Sequence, residues 1–433
     1  MENYTVDDIL KFIPKNRILE LAKLTNIDYE VKFMTGERMF YLLTLSMLRF
    51  DVMSQRRITY EYSLEEFQEA TQIPNRKTIS HSTLGTRLKT MKPKFFGLLY
   101  NDIFAQLNKT ESRRMEKQFG GSEIHDLVAV DSTLVSKASR YLTNYIEVKK
   151  PARAHKSKAV KTVKYSFGFS DKGLIDALIY NEQHALSENI ALKGIIEEYR
   201  KHDPQSTNIY LIDRGLNSSS NFKDLKNENV EFICRVNMNR SYEYVRPANV
   251  PSAQPIVEEE VTQLHKDDII ISDDIVHLRK KGGKGFEKTE FRLIKVRTKA
   301  PVMARKGHRD RTESELWVLT DNLYLPAIQI VAYYGMRWRI ECLFRFLKQR
   351  MSLNKFISGS PNGIANILYI ILITAMLVLL FARLNNYGYS EARDRLLIQL
   401  ENRFFSTSAK IRSTSQKSVK EPFSRHLRHF DQD

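Results

Sequence analysis

The sequence predicts an α/β fold: a core interrupted by a β-rich insertion, preceded by a helical N-terminal domain and followed by C-terminal helices. Three observations predict it. Residues 1 to about 122 carry apolar side chains at helical spacing, with Ser and Thr where helices begin. From about 123, short apolar runs bounded by Asp and Gly alternate with helical patterns, the order of a layered α/β unit. Residues 241–315 abandon that alternation for Pro, Gly and charge.

Each part follows from local pattern. Thr5 is placed to cap a helix from Val6, with Asp8 at the reciprocal capping distance. Ser63 and Glu66 form a second candidate capping box. A break follows at Ile73-Pro74-Asn75, and a helix is expected near Ser80 to Met91. Two helices about a short break resemble a helix-turn-helix, and Arg76, Lys77, Arg87, Lys89 and Lys92 would offer it to DNA. Leu127–Val130 is an apolar strand running into Asp131. Val163–Ser170 and Leu174–Tyr180 flank Asp171-Lys172-Gly173, a hairpin signal. A helix is expected from Ser187 to Lys201, then a strand at Asn208–Ile212 ending in Asp213-Arg214-Gly215. A further helix and the strand Glu231–Val236 complete the order of a ribonuclease H-like core.

The insertion holds strand-like runs at Asp268–Ser272 and Phe291–Val296. Its Gly282-Gly283-Lys284-Gly285 stretch lacks phosphate-loop spacing and reads as a hairpin turn. The strand Leu316–Thr320 returns to the core, and one long helix is expected from about Pro326 to Met351. The run Ile367–Ala382 has Thr374 as its single polar interruption, and Asn366 and Arg383 bracket it. At sixteen residues it falls short of the roughly 20 that span a bilayer, so it predicts a core helix packed on the apolar face Ile340, Leu343, Phe344 and Leu347. The domains are then 1–122, 123–240, 241–315, 316–395 and a basic C-terminal segment 396–433.

Composition narrows the function. Lys plus Arg total 68 against 51 for Asp plus Glu, a net charge of +17 that favours a polyanionic partner. The two cysteines, Cys234 and Cys342, exclude a disulfide framework and a four-cysteine zinc site. The start Met1-Glu2-Asn3-Tyr4 has no signal-peptide pattern, so a cytoplasmic, nucleoid-associated protein is expected.

Three carboxylates stand where an α/β sheet builds sites. Asp131 lies within or at the end of an apolar strand, Asp213 ends another, and Glu341 lies on the long helix. Converging, they would give hard oxygen ligands for two Mg²⁺ ions, with Mn²⁺ as substitute, and no other cofactor. On one continuous helix, Tyr334, Arg337, Glu341 and Lys348 fall within about 60° of one another. That stripe sets two cations and a phenol beside a metal ligand, an arrangement suited to phosphates. Two basic stretches, with Lys156, Lys158, Lys161 and Lys164 in the first and Arg305 and Lys306 in the second, are candidate DNA tracks.

The run Tyr334-x2-Arg337-x3-Glu341-x6-Lys348 resembles the Y-(2)-R-(3)-E-(6)-K signature of bacterial DDE transposases of the insertion-sequence-four type. The resemblance implies a ribonuclease H-like core with Asp131, Asp213 and Glu341 as the catalytic, metal-binding triad. It implies Tyr334, Arg337 and Lys348 as holders of DNA-end phosphates, and Trp317 as a base-stacking residue. Leu216 departs from the aromatic usual in the family after the second aspartate. The implied activity is binding of terminal inverted repeats, hydrolytic nicking and joining of 3′ hydroxyls to target DNA. The implied partners are double-stranded DNA and a second copy in a synaptic homodimer. Two rival readings keep the fold: a catalytically inactive, transposase-derived DNA-binding protein, and a nuclease that cuts without joining.

Overall fold

The structure is a computed structural model that describes residues 5–73, 78–119, 126–136, 142, 145–149, 159–202, 207–213, 218–250, 269–280, 285–298 and 314–412. The N-terminal part is helical: α1 (Val6–Leu10), α2 (Lys15–Thr25), α3 (Gly36–Arg49), α4 (Gln55–Ser63), α5 (Glu65–Ala70), α6 (His81–Thr90) and α7 (Lys94–Phe119). Thr5 and Asp8 cap α1 reciprocally, as their spacing predicts. Ser80 caps α6 by accepting from the Thr83 amide at 3.0 Å. Ser63 does not start a helix. It ends α4, and its hydroxyl turns back to the Tyr60 carbonyl at 2.7 Å.

The expected helix-turn-helix cations divide. Arg76 and Lys77 lie outside the described residues. Lys89 and Lys92 are exposed. Arg87 is buried, donating to the carbonyls of Met34 and Ile27, so it serves the packing of this region and offers nothing to DNA.

The sheet is formed by β1 (Asp126–Ser136), β2 (Ile146–Lys149), β3 (Ala159–Ser170), β4 (Ile175–Tyr180), β5 (Asn208–Ile212), β6 (Glu231–Val236), β7 (Tyr242–Pro247), β8 (Ile269–Arg279), β9 (Phe286–Thr298) and β10 (Ser314–Thr320). All ten strands join one mixed sheet, ordered β2-β3-β1-β5-β6-β10-β9-β8-β7, with β4 beside β3. β1, β5 and β6 run parallel, and their neighbours are antiparallel. The β5 residues are all buried, which accounts for the unbroken apolar run. β3 and β4 meet at the expected hairpin, where Gly173 takes φ +82, a conformation costly for any side chain. The insertion strands β7, β8 and β9 extend the same sheet through β10. Residues 281–284, the expected turn, lie outside the described residues.

Helices cover both faces. α8 (Glu188–His202) lies over β1, β3 and β4, and α9 (Ser219–Asn227) over β6. The expected long helix is two: α10 (Ala327–Gly335) and α11 (Trp338–Arg350). At the break, the amides of Met336, Arg337, Arg339 and Ile340 each bond three residues back instead of four. The stripe drawn on one continuous helix therefore does not apply to Tyr334.

α12 (Pro361–Asn385) contains the apolar run, and α13 (Tyr389–Arg412) follows. α12 has the length and apolarity to cross a membrane, yet 89% of that stretch is buried within the protein. Ser360 caps it by accepting from the Gly363 amide at 3.2 Å, and Pro361 opens it. It packs on α3, α6, α7, α13 and β4. Gly97 of α7 permits the approach, since a Cβ there would stand 3.2 Å from the Tyr369 ring. α11 packs on β1 and α13. α13 runs across the expected boundary at 395 and includes residues read as the start of a loose tail.

Candidate active site at the strand ends

The geometry starts from the register of β1 and β5. Their last paired residues are Val130 and Ile212. Asp131 and Asp213 each come one residue later, so the two carboxylates stand level on neighbouring parallel strands, whose backbones lie about 4.8 Å apart. The chain leaves β1 toward β3 and returns at β5 on the other side, which makes this strand edge a topological switch point.

Alternation fixes the face. Asp131 lies opposite Phe167 of β3, and the Phe344 ring of α11 meets the Phe167 ring edge-on at 5.2 Å. α11 therefore covers the face from which Asp131 projects. Glu341 is one turn before Phe344 on that helix, on the same side. The Asp131 carboxylate also accepts from the Ser132 amide at 2.7 Å.

Arg337 ties the helix break to the strands. It donates to the Glu341 carboxylate, and its guanidinium lies 5.8 Å from the Tyr334 ring. Burial opposes its charge, but Tyr334, Asp213 and Glu341 outweigh burial and raise its pKa. The Tyr334 phenol is pushed up to about 12 by burial, with Asp213 adding and Arg337 opposing. Its Oη and the Arg337 Nε are buried without a hydrogen-bond partner among the described residues. Lys348 sits further along α11, its Nζ 5.3 Å from the Phe344 ring.

Among the described residues no three acidic, His or Cys side chains are gathered to hold an ion. The two aspartates are side by side, while the third carboxylate is held by Arg337. As chemistry the donor set fits, since three carboxylates are the hard oxygen ligands that divalent cations prefer.

The remaining expected residues scatter. Trp317 pairs with Val236, one level beyond Asp213, so its indole leaves the opposite face. There it meets Tyr242 at 5.9 Å, lies under the Lys295 ammonium at 4.6 Å and donates to Glu315. Lys161 rests on the Tyr145 ring at 4.1 Å. Lys164 is buried on β3 and donates to the Ser187 carbonyl at 3.3 Å, which removes it from any surface track. Lys156, Lys158, Arg305 and Lys306 lie outside the described residues.

Residues 123–377, more than half of the sequence, match the transposase DDE domain family. The chain belongs to that family. Membership places it among transposases, enzymes that act on DNA and generally use divalent metal ions. A candidate transposase of Sinorhizobium fredii, y4zB, is 30% identical over 24% of this chain and 30% of its own length. The candidate transposase of insertion sequence element IS4SA from Synechocystis is 25% identical over 68% of this chain and 70% of its own length. Among solved structures, the piggyBac transposase synaptic complex with hairpin DNA aligns at a TM-score of 0.41 and 14% identity, over 95% of this chain and 82% of that one.

Proposed function

We propose that this chain is a transposase of the insertion-sequence-four type, which nicks the ends of its element and joins them to target DNA. The observation that carries the reading is the level placement of Asp131 and Asp213, with the Glu341 helix over the same face. The strand order β4-β3-β1-β5-β6, with β3 antiparallel, supports a ribonuclease H-like core around that edge. The helices α1–α7 form the proposed DNA-binding domain, and β7–β9 the insertion.

In the nicking step a water oxygen attacks the scissile phosphorus in line and the bond to the 3′ oxygen breaks. The element keeps a 3′ hydroxyl and the flank a 5′ phosphate. In the joining step that hydroxyl attacks a target phosphorus and displaces the target's own 3′ oxygen. Asp131, Asp213 and Glu341 would hold two Mg²⁺ ions, which when bound supply charge stabilisation and an activated nucleophile. Arg337, released from Glu341, and Lys348 would hold DNA-end phosphates. Trp317, on its aromatic and cationic patch, is the proposed stacking platform for an unpaired base. A second copy of the chain in the synapse completes the proposal.

The test is a Mg²⁺ titration on a duplex carrying the element's ends, followed by transfer of the cut end to a plasmid. Nicking and joining together are the expected result. Binding with no cleavage in Mg²⁺ or Mn²⁺ would establish the inactive, binding-only reading. Cleavage without joining would establish a nuclease.

A further inference from the structure

We propose that Asp51, in the loop between α3 and α4, is a positioning residue for the helix that carries Glu341. Through Arg350 and Arg393 it fixes the carboxyl end of α11, and the helix passes that constraint to Glu341. The proposal rests on the reading of Glu341 as the third metal-holding carboxylate.

α11 has use for such a constraint. It meets β1 and α13, and one contact with the sheet is the Phe344 ring on Phe167 at 5.2 Å. Apolar burial is non-directional, so by itself it lets a helix turn about its axis and slide. Charge-assisted hydrogen bonds are directional and oppose both motions.

The carboxyl end of α11 supplies them. Arg350, its last residue, donates to Asp51 Oδ2 at 3.0 Å and to both carboxylate oxygens of Asp394 on α13 at 2.8 Å. The buried Arg393 donates to Asp51 Oδ1 at 2.8 Å, to Asp394 at 3.3 Å and to the Met47 carbonyl at 3.2 Å. Two carboxylates and two guanidiniums thus alternate in a closed ring that joins α11, α13 and the α3–α4 loop. Asp51 is the ring member that comes from the N-terminal helices.

A second set of bonds runs beside the ring. The Ser352 hydroxyl donates to the Asp51 carbonyl at 3.0 Å and accepts from the Met53 amide at 2.8 Å. Ser352 is buried and takes φ +55, a conformation that glycine adopts more readily. The hydroxyl that a glycine would lack is what holds the loop. The Gln55 Nε2 donates to the Ile357 carbonyl at 2.8 Å. Residues 51–55 are therefore registered against residues 350–357 at several points.

The constraint reaches Glu341 through the geometry of the helix. Arg350 follows it by nine residues (350 − 341), about 14 Å along the axis and about 180° around it. The ring grips the side of α11 opposite Glu341, and a turn of the helix there turns the carboxylate equally. A turn of about 10° moves a group about 6 Å from the axis by about 1 Å, enough to misplace a reacting site. The Asp51 side chain is 52% exposed, so its ion pairs add little to stability. Positioning and stability can then be separated by experiment.

Full-length wild type, Asp51→Ala, Asp51→Glu, Arg350→Gln and the double variant D51A/R350Q would be compared on a labelled duplex carrying the element's ends. The readouts are duplex affinity, Tm, single-turnover nicking at saturating duplex, and Mn²⁺ binding by the duplex-bound protein, followed by electron paramagnetic resonance. D51A and R350Q should each slow nicking by about tenfold to a hundredfold and weaken Mn²⁺ binding, with duplex affinity and Tm near wild type. D51E keeps the carboxylate and should recover most of the rate. The double variant should lose no more than the worse single one, because both changes remove the same link. A merely structural role predicts a lower Tm with wild-type nicking and Mn²⁺ binding in the folded protein. Wild-type nicking and Mn²⁺ binding in D51A would overturn the positioning role and leave that of Glu341 standing. A wild type that binds duplex but neither nicks it nor holds Mn²⁺ would overturn the reading of Glu341, and the positioning role with it. Should D51A fail to fold, R350Q decides by the same criteria.

Discussion

The centre of the sheet and its extension differ in what they can do. β1, β5 and β6 are parallel, so their carboxyl ends reach one edge together. β1 carries Asp131 midway along its length and β5 stops just before Asp213, which puts the two aspartates level. The extension from β10 to β7 is antiparallel, so its strand ends alternate between edges. No residue of the edge strand β7 is buried. What the extension offers is surface: Tyr242, Lys295 and Trp317 gathered on one face. Chemistry that needs several groups at one point belongs to the parallel centre, and the antiparallel flank is suited to holding a long partner.

The largest contrast is expected in rate. Asp131→Ala and Asp213→Ala should each lower nicking by on the order of 10³-fold or more while duplex binding survives. Lys295→Ala, in the extension, should change the rate by no more than about tenfold and act through binding. Equal rate losses at the two places would erase the distinction.

A stability difference comes next. Leu377 is 3% exposed in α12, the helix that joins the β4 side of the centre to the N-terminal helices. Leu377→Asp buries a carboxylate among apolar side chains and should cost more than about 4 kcal/mol, seen as insoluble or unfolded protein. Recovery of the wild type only in a detergent-extracted membrane fraction would refute the core-helix account.

The extension is fastened by one buried cation. Arg292 is fully buried, holds Asp273 through two bonds of 2.7 Å and donates to the Leu325 carbonyl just before α10. Arg292→Met leaves those acceptors unmatched and should cost about 3 kcal/mol by denaturant unfolding. Adding Asp273→Leu should recover part of that loss, and no recovery would mean that Arg292 acts through packing alone.

The smallest effect depends on pH. Burial, then the nearby Asp126 charge, push the Asp171 carboxyl up to about 7, and its Oδ1 has no hydrogen-bond partner among the described residues. A carboxyl raised on folding supports the fold while protonated, and that support is lost as pH rises from the unfolded value near 4 through about 7. Asp171→Asn removes this dependence. It should gain on the order of 1–3 kcal/mol at pH 8.5 and shrink toward no gain by pH 4. A flat difference across that range would assign the effect to the amide's hydrogen bonds.

The sequence by itself determined the local elements and the chemistry they carry. The Thr5 cap, the helix from Ser80, the β3–β4 hairpin, the all-round apolar α12 and the aspartates that follow two apolar runs were legible because each is encoded within a few residues. Residues 123–377 match the transposase DDE domain family, the coarser part of what the Tyr334 to Lys348 spacing implied. Only the tertiary structure decided which cations reach the surface. Arg87 and Lys164 read as DNA contacts in a basic stretch, yet both are buried by residues far away in the chain. It also decided the break at Met336–Arg337, where Arg337 reaches both Glu341 and the Asp213 side. Above all it decided the register that sets Asp131 beside Asp213, which lies 82 positions later (213 − 131). Periodicity and caps are short-range and survive in any context. Register and burial come from which distant surfaces meet, and a local pattern holds no record of its partner.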